Sequence, residues 1–297
     1  FALAACAPAA STPVAEATGA PITLTDGLDR SVSLPGPAER IVSMAPSNTE
    51  ILFAVGAGSQ VIGRDDFTNY PEAALELPSV GGSMNEYNLE QIVSLQPDLV
   101  LASELNTPEQ VHALEELGVT VYYLSNPTDI AGLYTMLRTV ATLTGHEAET
   151  EELIASLQAR VAAAEEKVAG AAEQPVVFYE LDGSDPVKPW TAGPGTFIDM
   201  LIGMAGGKNA AANLGGAWGQ ISQEELLVQN PDIILLGDAA YGVTPEQVAE
   251  RAGWEAMRAV QDGRILPFND DTVSRPTPRL VDALEELVRV LHPELGS

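Results

Sequence analysis

Two of the three tryptophans stand in sequence that is typical of loops. Trp218 lies in a glycine-flanked run at residues 215–220, and Trp190 follows a proline shortly before a glycine turn. Burial of so large a side chain for folding alone is unusual in such segments, although packing in a core is the alternative for each. Trp254 follows a glycine in a helical pattern and is interpreted as structural. Trp190 and Trp218 are therefore candidate ligand contacts.

Groups that could catalyse a reaction lack the partners that catalysis needs. Ser47 lies between a strand pattern and a helix pattern, but no Gly-x-Ser-x-Gly motif or His–Asp pair accompanies it. Residues 193–195, Gly-Pro-Gly, precede a helix and could bind a phosphate, yet no P-loop lysine follows. His112, His146 and His292 share no spacing that suits one metal. A hydrolase-type α/β enzyme is thus disfavoured, and neither a cofactor nor a resident metal is expected.

The charge balance excludes several classes of partner. Asp and Glu number 42 against 14 Lys and Arg, which gives a formal net charge of −28. Such a surface repels phosphate backbones and anionic lipid headgroups, so nucleic acids and membrane surfaces are not expected partners. No apolar run approaches the roughly 18 residues of a membrane-spanning helix. The single cysteine forms no intramolecular disulfide.

Strand and helix patterns alternate on both sides of a long uninterrupted helix. Such alternation predicts α/β units with mainly parallel sheets. Residues 146–169 contain neither proline nor glycine and carry one apolar stripe, which predicts a helix of roughly 35 Å. We expect an α/β fold in which two lobes, residues 21–144 and 172–297, are joined by one rigid helix at 145–171. The ligand cleft is expected between the lobes.

An internal repeat relates the two predicted lobes. Residues 89–101 and 223–235 share the order of an amphipathic helix, a Pro-Asp corner and an apolar strand. The alignment places Glu90 opposite Glu224, 224 − 90 = 134 residues apart. Such units are common in α/β proteins, but a second, weaker sequence similarity between the two lobes, in the same order, favours duplication of one ancestral unit.

An ordered set of motifs runs from residue 22 to the C-terminus, at residues 40–52, 69–71, 88–100, 193–201, 218–224 and 276–279. Together these motifs resemble the substrate-binding proteins of ABC importers for cobalamin, siderophores and haem, and most of all the cobalamin-binding branch. The resemblance implies the two-lobed architecture that the periodicity predicts and a transported corrinoid such as cobalamin. A ferric siderophore or haem is the alternative ligand.

The resemblance also implies which side chains line the cleft. It brings Phe67, Trp190, Trp218, Asp271 and Arg275 to the ligand. The aromatic rings would form walls for a large, partly flat molecule, and the polar groups would orient it.

One departure from the cobalamin branch lies just before the Asn-Leu-Glu motif. Where that branch has a further tryptophan, this chain has residues 81–87, so Met84 or Tyr87 could form the wall instead. The change leaves room for another corrinoid, haem or a siderophore.

Glu90 and Glu224 are the candidate docking residues. In the family that the chain resembles, one exposed carboxylate in each lobe binds arginines of an ABC permease dimer, which works with ATPase subunits. Two separated charges at the rim orient the encounter more than they add affinity. The alternative is that each glutamate only reflects the preference for acidic residues at a helix start.

The N-terminal residues predict a lipid anchor. Leu-Ala-Ala-Cys6 resembles a bacterial lipobox, and residues 7–20 are rich in Ala, Pro, Ser and Thr, as a flexible tether is. Cys6 is the predicted lipidation site, and an ordinary thiol in a hydrophobic stretch is the alternative. We expect residues 1–20 to comprise a signal-peptide remnant, the lipobox and the tether. The body is expected to be an extracytoplasmic monomer that contacts the membrane only through the anchor.

Overall fold

The structure, a computed structural model, describes residues 20–82 and 86–296, so Cys6 and Met84 lie outside the described residues. The strands are β1 Ile22–Thr25, β2 Ser31–Leu34, β3 Ile41–Ser43, β4 Val61–Gly63, β5 Leu99–Ser103, β6 Val121–Leu124, β7 Val176–Asp182, β8 Trp190–Ala192, β9 Lys208–Asn209, β10 Trp218–Gln220, β11 Ile233–Leu236 and β12 Ile265–Pro267. The helices are α1 Pro46–Ala54, α2 Leu89–Ser94, α3 Pro108–Glu116, α4 Ile130–Thr144, α5 Glu147–Val168, α6 Phe197–Met204, α7 Gln223–Gln229, α8 Pro245–Ala249, α9 Arg258–Gln261, α10 Asp270–Ser274 and α11 Arg279–Leu291.

The chain before α5, termed the N-lobe, is built on a parallel sheet with the strand order β4-β3-β5-β6. Every residue of β3 and β5 is buried, which explains why their sequences show no apolar–polar alternation. β1 and β2 form a separate antiparallel hairpin, in which Ile22 lies opposite Leu34. The predicted parallel sheet is confirmed.

The chain after α5, termed the C-lobe, has a sheet with the strand order β10-β8-β7-β11-β12, and β9 pairs with the start of β7. β7, β11 and β12 are parallel, whereas β8 and β10 form an antiparallel edge. The α/β fold with two lobes is therefore confirmed, and the antiparallel edge is a feature that the sequence pattern did not indicate.

The connecting helix α5 is bound to both lobes by arginine–carboxylate pairs. Arg138 of α4 donates to both oxygens of Glu151 at 2.6 and 2.9 Å. Arg160 of α5 donates to Asp282 at 2.6 Å and to Glu285 at 2.6 and 2.8 Å, both on α11. Bidentate pairs of this kind fix orientation as well as distance. Among the residues described, no helix combines the length and apolar character needed to cross a bilayer.

The repeat is visible in the backbone at both ends of the equivalent helices. Asn88 caps α2 by accepting the Gln91 N–H, and Ser222 caps α7 in the same way. Past the helix ends, Gln96 and Asn230 both have positive φ, 50° and 46°. Each pair is separated by the offset that relates Glu90 to Glu224, so the two lobes contain the same helix-to-strand turn.

The aspartate of each Pro-Asp corner has the same structural role in its lobe. Asp98 accepts the backbone N–H of Arg40 at 3.0 Å, and Asp232 accepts that of Val176 at 2.8 Å. In both lobes the carboxylate thus binds the chain where the neighbouring strand begins. This shared contact supports duplication of one structural unit.

Asp26 at the end of β1 makes stability dependent on acidity. Burial raises the pKa of Asp26, but hydrogen bonds from Arg30, Tyr123 and Leu28 outweigh that effect, so its pKa lies below the ordinary 3.8. A lowered folded-state pKa stabilises the fold above the unfolded value, and this contribution is lost as pH falls through the folded value. We expect Asp26→Asn to lower the free energy of unfolding by roughly 2 kcal/mol at neutral pH. In urea unfolding the difference from wild type should shrink towards pH ~3, and an equal difference at both pH values would contradict the prediction.

Candidate functional site

Loops at the carboxyl ends of parallel strands in the two sheets contact each other. The loop after β4 contains Phe67 and Asn69, and the loop after β12 leads into Asp271. The Asn69 side-chain amide donates to the Asp271 carboxylate at 2.8 Å, which joins the two loops directly. In α/β proteins ligands bind outside the carboxyl ends of strands, so this junction marks one side of the candidate cleft.

Phe67 is held in an exposed position by a buried carboxylate. Asp65 accepts the Phe67 backbone N–H at 2.8 Å and the Thr68 hydroxyl at 2.5 Å. Burial raises the pKa of Asp65, while those hydrogen bonds and the Arg275 charge lower it only in part. The Phe67 ring is 58% exposed although its backbone is fixed. The predicted ligand contact is therefore a rigidly presented aromatic ring.

Trp190 and Trp218 lie on one face of the antiparallel edge of the C-lobe sheet. Trp218 pairs with Ala192, which lies two residues beyond Trp190 in β8, so both indoles project to the same side. They are 42% and 49% exposed, whereas Trp254 is fully buried, as predicted. The loop assignment for both residues is wrong, because each lies in a three-residue strand.

The end of β7 beside Trp190 is fixed by a buried ion pair. Arg251 donates to both carboxylate oxygens of Glu180, with the Nη2–Oε1 distance at 2.9 Å, and its guanidinium lies 4.6 Å from the centre of the Trp254 ring. Burial raises the pKa of Glu180, and the Arg251 hydrogen bonds counteract this. Trp254 thus packs against the guanidinium of the ion pair that fixes the end of β7.

Of the two residues predicted to replace the missing tryptophan, only Tyr87 is described. Its hydroxyl donates to the Met44 carbonyl at 2.8 Å, and burial raises its pKa to about 12. The ring is half-buried, and its hydroxyl stabilises the loop after β3. A ligand contact by Tyr87 stays a prediction and would involve the ring rather than the hydroxyl.

Asp271 and Arg275 take part in a network that crosses between the lobes, termed the interlobe network. Arg275 donates to Glu50 at 2.8 Å and to the side-chain oxygen Oδ1 of Asn69 at 2.8 Å, and it pairs with Asp271 at 2.7 Å. Arg279 also reaches Glu50, at 3.2 Å. The Glu50 side chain is only 2% exposed. A ligand contact by Asp271 and Arg275 stays a prediction, and the contacts they make in the structure join the lobes.

The interlobe network is expected to contribute to stability. Glu50→Gln removes the buried charge that faces Arg275 and Arg279, which should lower the free energy of unfolding by roughly 3 kcal/mol. Glu285→Gln is the matched control, because it breaks an exposed pair with Arg160 and should cost under about 1 kcal/mol. Equal losses in urea unfolding would contradict the assignment.

Sequence reasoning missed Glu50, Asn69 and Arg279. Their partners lie more than 200 positions away in the chain, since Asn69 and Asp271 are 202 residues apart. No local periodicity encodes such a contact. Only the structure shows that Glu50 occupies a helix whose first seven residues are buried, a position where a carboxylate needs a partner.

Glu90 and Glu224 occupy equivalent exposed positions. Each lies in the first turn of its helix and is exposed, and the adjoining Ile92 and Leu226 anchor the helices in their lobes. The structure therefore places an exposed carboxylate at the equivalent position of each lobe, and α7 has a second exposed carboxylate, Glu225, beside it.

None of the three histidines belongs to a loop at the carboxyl end of a strand. His112 lies on α3 beside Glu116, at 3.4 Å. His146 Nε2 lies 3.2 Å from the Gln60 side chain, and buried His292 contacts the Ala205 carbonyl at 3.1 Å. In the described part of the chain, acidic, histidine and cysteine side chains form no group of three that could hold a metal ion.

Two α/β lobes joined by one long helix, with exposed aromatic rings at their facing edges, define a two-lobed solute-binding protein. Residues 41–271 match the model of the periplasmic binding protein family. The chain belongs to this family of ABC-transporter substrate-binding proteins, and it is not an enzyme.

Two relatives support this placement. A substrate-binding lipoprotein of an ABC transporter from Bacillus subtilis, YvrC, is 32% identical over 279 residues, which cover 92% of this chain and 86% of that protein. A cobalamin-binding protein of Halobacterium salinarum is 31% identical over 280 residues, covering 92% and 74%.

Solved structures with the same fold bind different tetrapyrroles. The haem-binding protein RhuT of Roseiflexus has a TM-score of 0.77 at 30% identity and covers 87% of this chain and 99% of its own. The vitamin B12-binding protein BtuF of Vibrio cholerae has a TM-score of 0.73 at 28% identity, covering 89% and 100%. The fold therefore occurs in binding proteins for both kinds of ligand.

Proposed function

We propose that this protein binds a corrinoid, most simply cobalamin, outside the cytoplasm and delivers it to an ABC importer. The observation that carries the proposal is the exposure of Phe67 in the N-lobe and of Trp190 and Trp218 in the C-lobe. Exposed rings held by rigid backbone suit a large ligand with flat apolar faces, since no ordering of the site has to precede binding.

The histidine positions disfavour haem that is bound through an imidazole. Haem iron in proteins has an axial ligand, which is commonly an imidazole and in other proteins a thiolate, a thioether or a tyrosine oxygen. Each imidazole of this chain contacts groups away from the strand-end loops. Cobalamin carries a cobalt that its own nucleotide base already ligates, so apolar walls and a few polar groups suffice. The cobalamin-binding relative from Halobacterium salinarum supports the same ligand class.

Delivery and anchoring complete the proposal. Glu90 and Glu224 would bind the two permease subunits, one lobe to each, and Asp271 and Arg275 would orient polar groups of the ligand at the junction of the lobes. Cys6, predicted to carry lipid, would hold the protein at the membrane surface, as the lipoprotein relative from Bacillus subtilis suggests.

Direct titration with named probes tests the ligand assignment. Cyanocobalamin, haemin and ferrichrome are each added to the purified protein, and binding is followed by calorimetry and by quenching of tryptophan fluorescence. We expect one molecule of cyanocobalamin per chain, with higher affinity than for the other two. Preferential binding of haemin or ferrichrome would overturn the corrinoid assignment, and binding of none would overturn the ligand class.

A further inference from the structure

The loops that follow β5 and β11 occupy equivalent places in the two lobes. Each leads into a helix that begins with the same five residues, Thr-Pro-Glu-Gln-Val, at 107–111 and at 244–248. Both helices start with a capping box formed by that threonine and glutamine. The offset here is 137 residues instead of the 134 that relates the preceding turns, so the C-lobe loop is three residues longer.

Both loops are fixed by a buried polar side chain that binds the neighbouring strand-end loop. In the N-lobe, Asn106 is 2% exposed, accepts the Ser103 N–H at 2.8 Å and donates to the Met44 carbonyl at 3.4 Å. In the C-lobe, Asp238 is 5% exposed and accepts the Gly183 N–H at 2.9 Å. The same kind of contact therefore holds both loops on the lobes.

A close approach further restrains the longer loop. It forms a 3-10 turn, Gly237–Tyr241, directly after β11. A Cβ atom at Gly237 would lie 2.5 Å from the Tyr179 hydroxyl oxygen, so only glycine permits this path. The turn is therefore packed against the strand next to it.

Each fixed loop exposes one large apolar side chain. Tyr241 is 89% exposed and Leu105 is 62% exposed. A single exposed apolar residue is common and needs no explanation. Here the two lie on equivalent, rigid loops at the carboxyl ends of central strands, on the sheet edges that also present Phe67 and Trp190. Neither side chain is packed in the core of its lobe, so both are accessible to a ligand.

We infer that Tyr241 and Leu105 are further ligand contacts, one from each lobe, which bind the macrocycle and help to position it. This inference rests on the proposed function. Tyr241 offers an aromatic face for stacking, and the three additional residues of its loop extend that face beyond the C-lobe edge. Leu105 offers an aliphatic contact from the shorter loop. Together with the indoles of Trp190 and Trp218, these two contacts favour a ligand with a flat apolar surface.

Alanine variants at both positions test the inference. Tyr241→Ala should weaken the affinity for cyanocobalamin roughly tenfold and Leu105→Ala roughly threefold, in proportion to the apolar area removed. Tyr241→Phe keeps the ring and should bind as wild type does. Val228→Ala is the matched control, since Val228 is 77% exposed on α7, at the opposite end of β11. All variants are titrated by calorimetry, with thermal unfolding to verify the fold.

Each outcome has a defined meaning. If Tyr241→Ala and Leu105→Ala bind with the same affinity as Val228→Ala, the inference is wrong. The proposed function would still stand in that case, provided that the wild type binds cyanocobalamin. A loss in Tyr241→Phe as large as in Tyr241→Ala would show that the hydroxyl acts, which contradicts a stacking contact. Failure of the wild type to bind cyanocobalamin would overturn both.

Discussion

A variant with alanine at both Trp190 and Trp218 is expected to lose on the order of a thousandfold in affinity for cyanocobalamin. The two indoles are 42% and 49% exposed on one face of the C-lobe edge. A ligand that covers them removes roughly 100 Å² of each ring from water, together with its own matching surface. After the cost of ordering, about 2 kcal/mol for each ring is a reasonable contribution. The measurement is calorimetric titration of the double variant beside wild type.

Phenylalanine variants provide the control for shape and folding. Trp190→Phe and Trp218→Phe retain an aromatic face and should each lose less affinity than the corresponding alanine variant. Because both indoles are about half exposed in the folded protein, the thermal midpoint should change little in any of these variants. Retention of affinity within about threefold in the double alanine variant would mean that the indoles are not ligand walls.

Periodicity was sufficient for the fold because the elements that build it are long or buried throughout. The uninterrupted run at 146–169 predicts α5, which spans Glu147–Val168. The Pro-Asp corners predict equivalent turns. In both lobes the structure shows a residue with positive φ at the same position and the same backbone contact of the aspartate. The edge strands around Trp190 and Trp218 escaped prediction because three residues are too few for a period to show.

The candidate site was only partly predictable from the sequence, because some of its residues stand out by type whereas the contacts of others depend on the tertiary structure. Exposed aromatics in short segments stand out by residue type, and Phe67, Trp190 and Trp218 are indeed exposed. Asp271 and Arg275 were identified as polar cleft residues, yet their contacts with Glu50 and Asn69 depend on how the lobes meet. The repeated pentapeptide directly follows the two loops that contain Leu105 and Tyr241, so the sequence does contain a signal that these loops are equivalent.

Reversing the charge of both Glu90 and Glu224 to lysine is expected to abolish transport while affinity for the ligand stays unchanged. The two carboxylates lie in equivalent first turns, one in each lobe, so they present matched charges to a partner with two related halves. Each lysine would place a like charge against the permease arginine that the carboxylate is proposed to meet, which costs several kcal/mol per site. Uptake of labelled cobalamin by vesicles that contain the permease and its ATPase is the measurement, and calorimetry checks the affinity.

The chain supplies its own control for this experiment. Glu109 and Glu246 are also exposed, also lie in the first turn of a helix, and are related by the repeat, one in each lobe. Their reversal to lysine changes the net charge of −28 by the same amount as reversal of Glu90 and Glu224. General electrostatic attraction would make both double variants fail alike, whereas docking at defined positions predicts full transport by the control. Single reversals should each leave partial transport, because one lobe still binds its subunit. Transport by the Glu90 and Glu224 double variant at the wild-type rate would refute docking through these carboxylates.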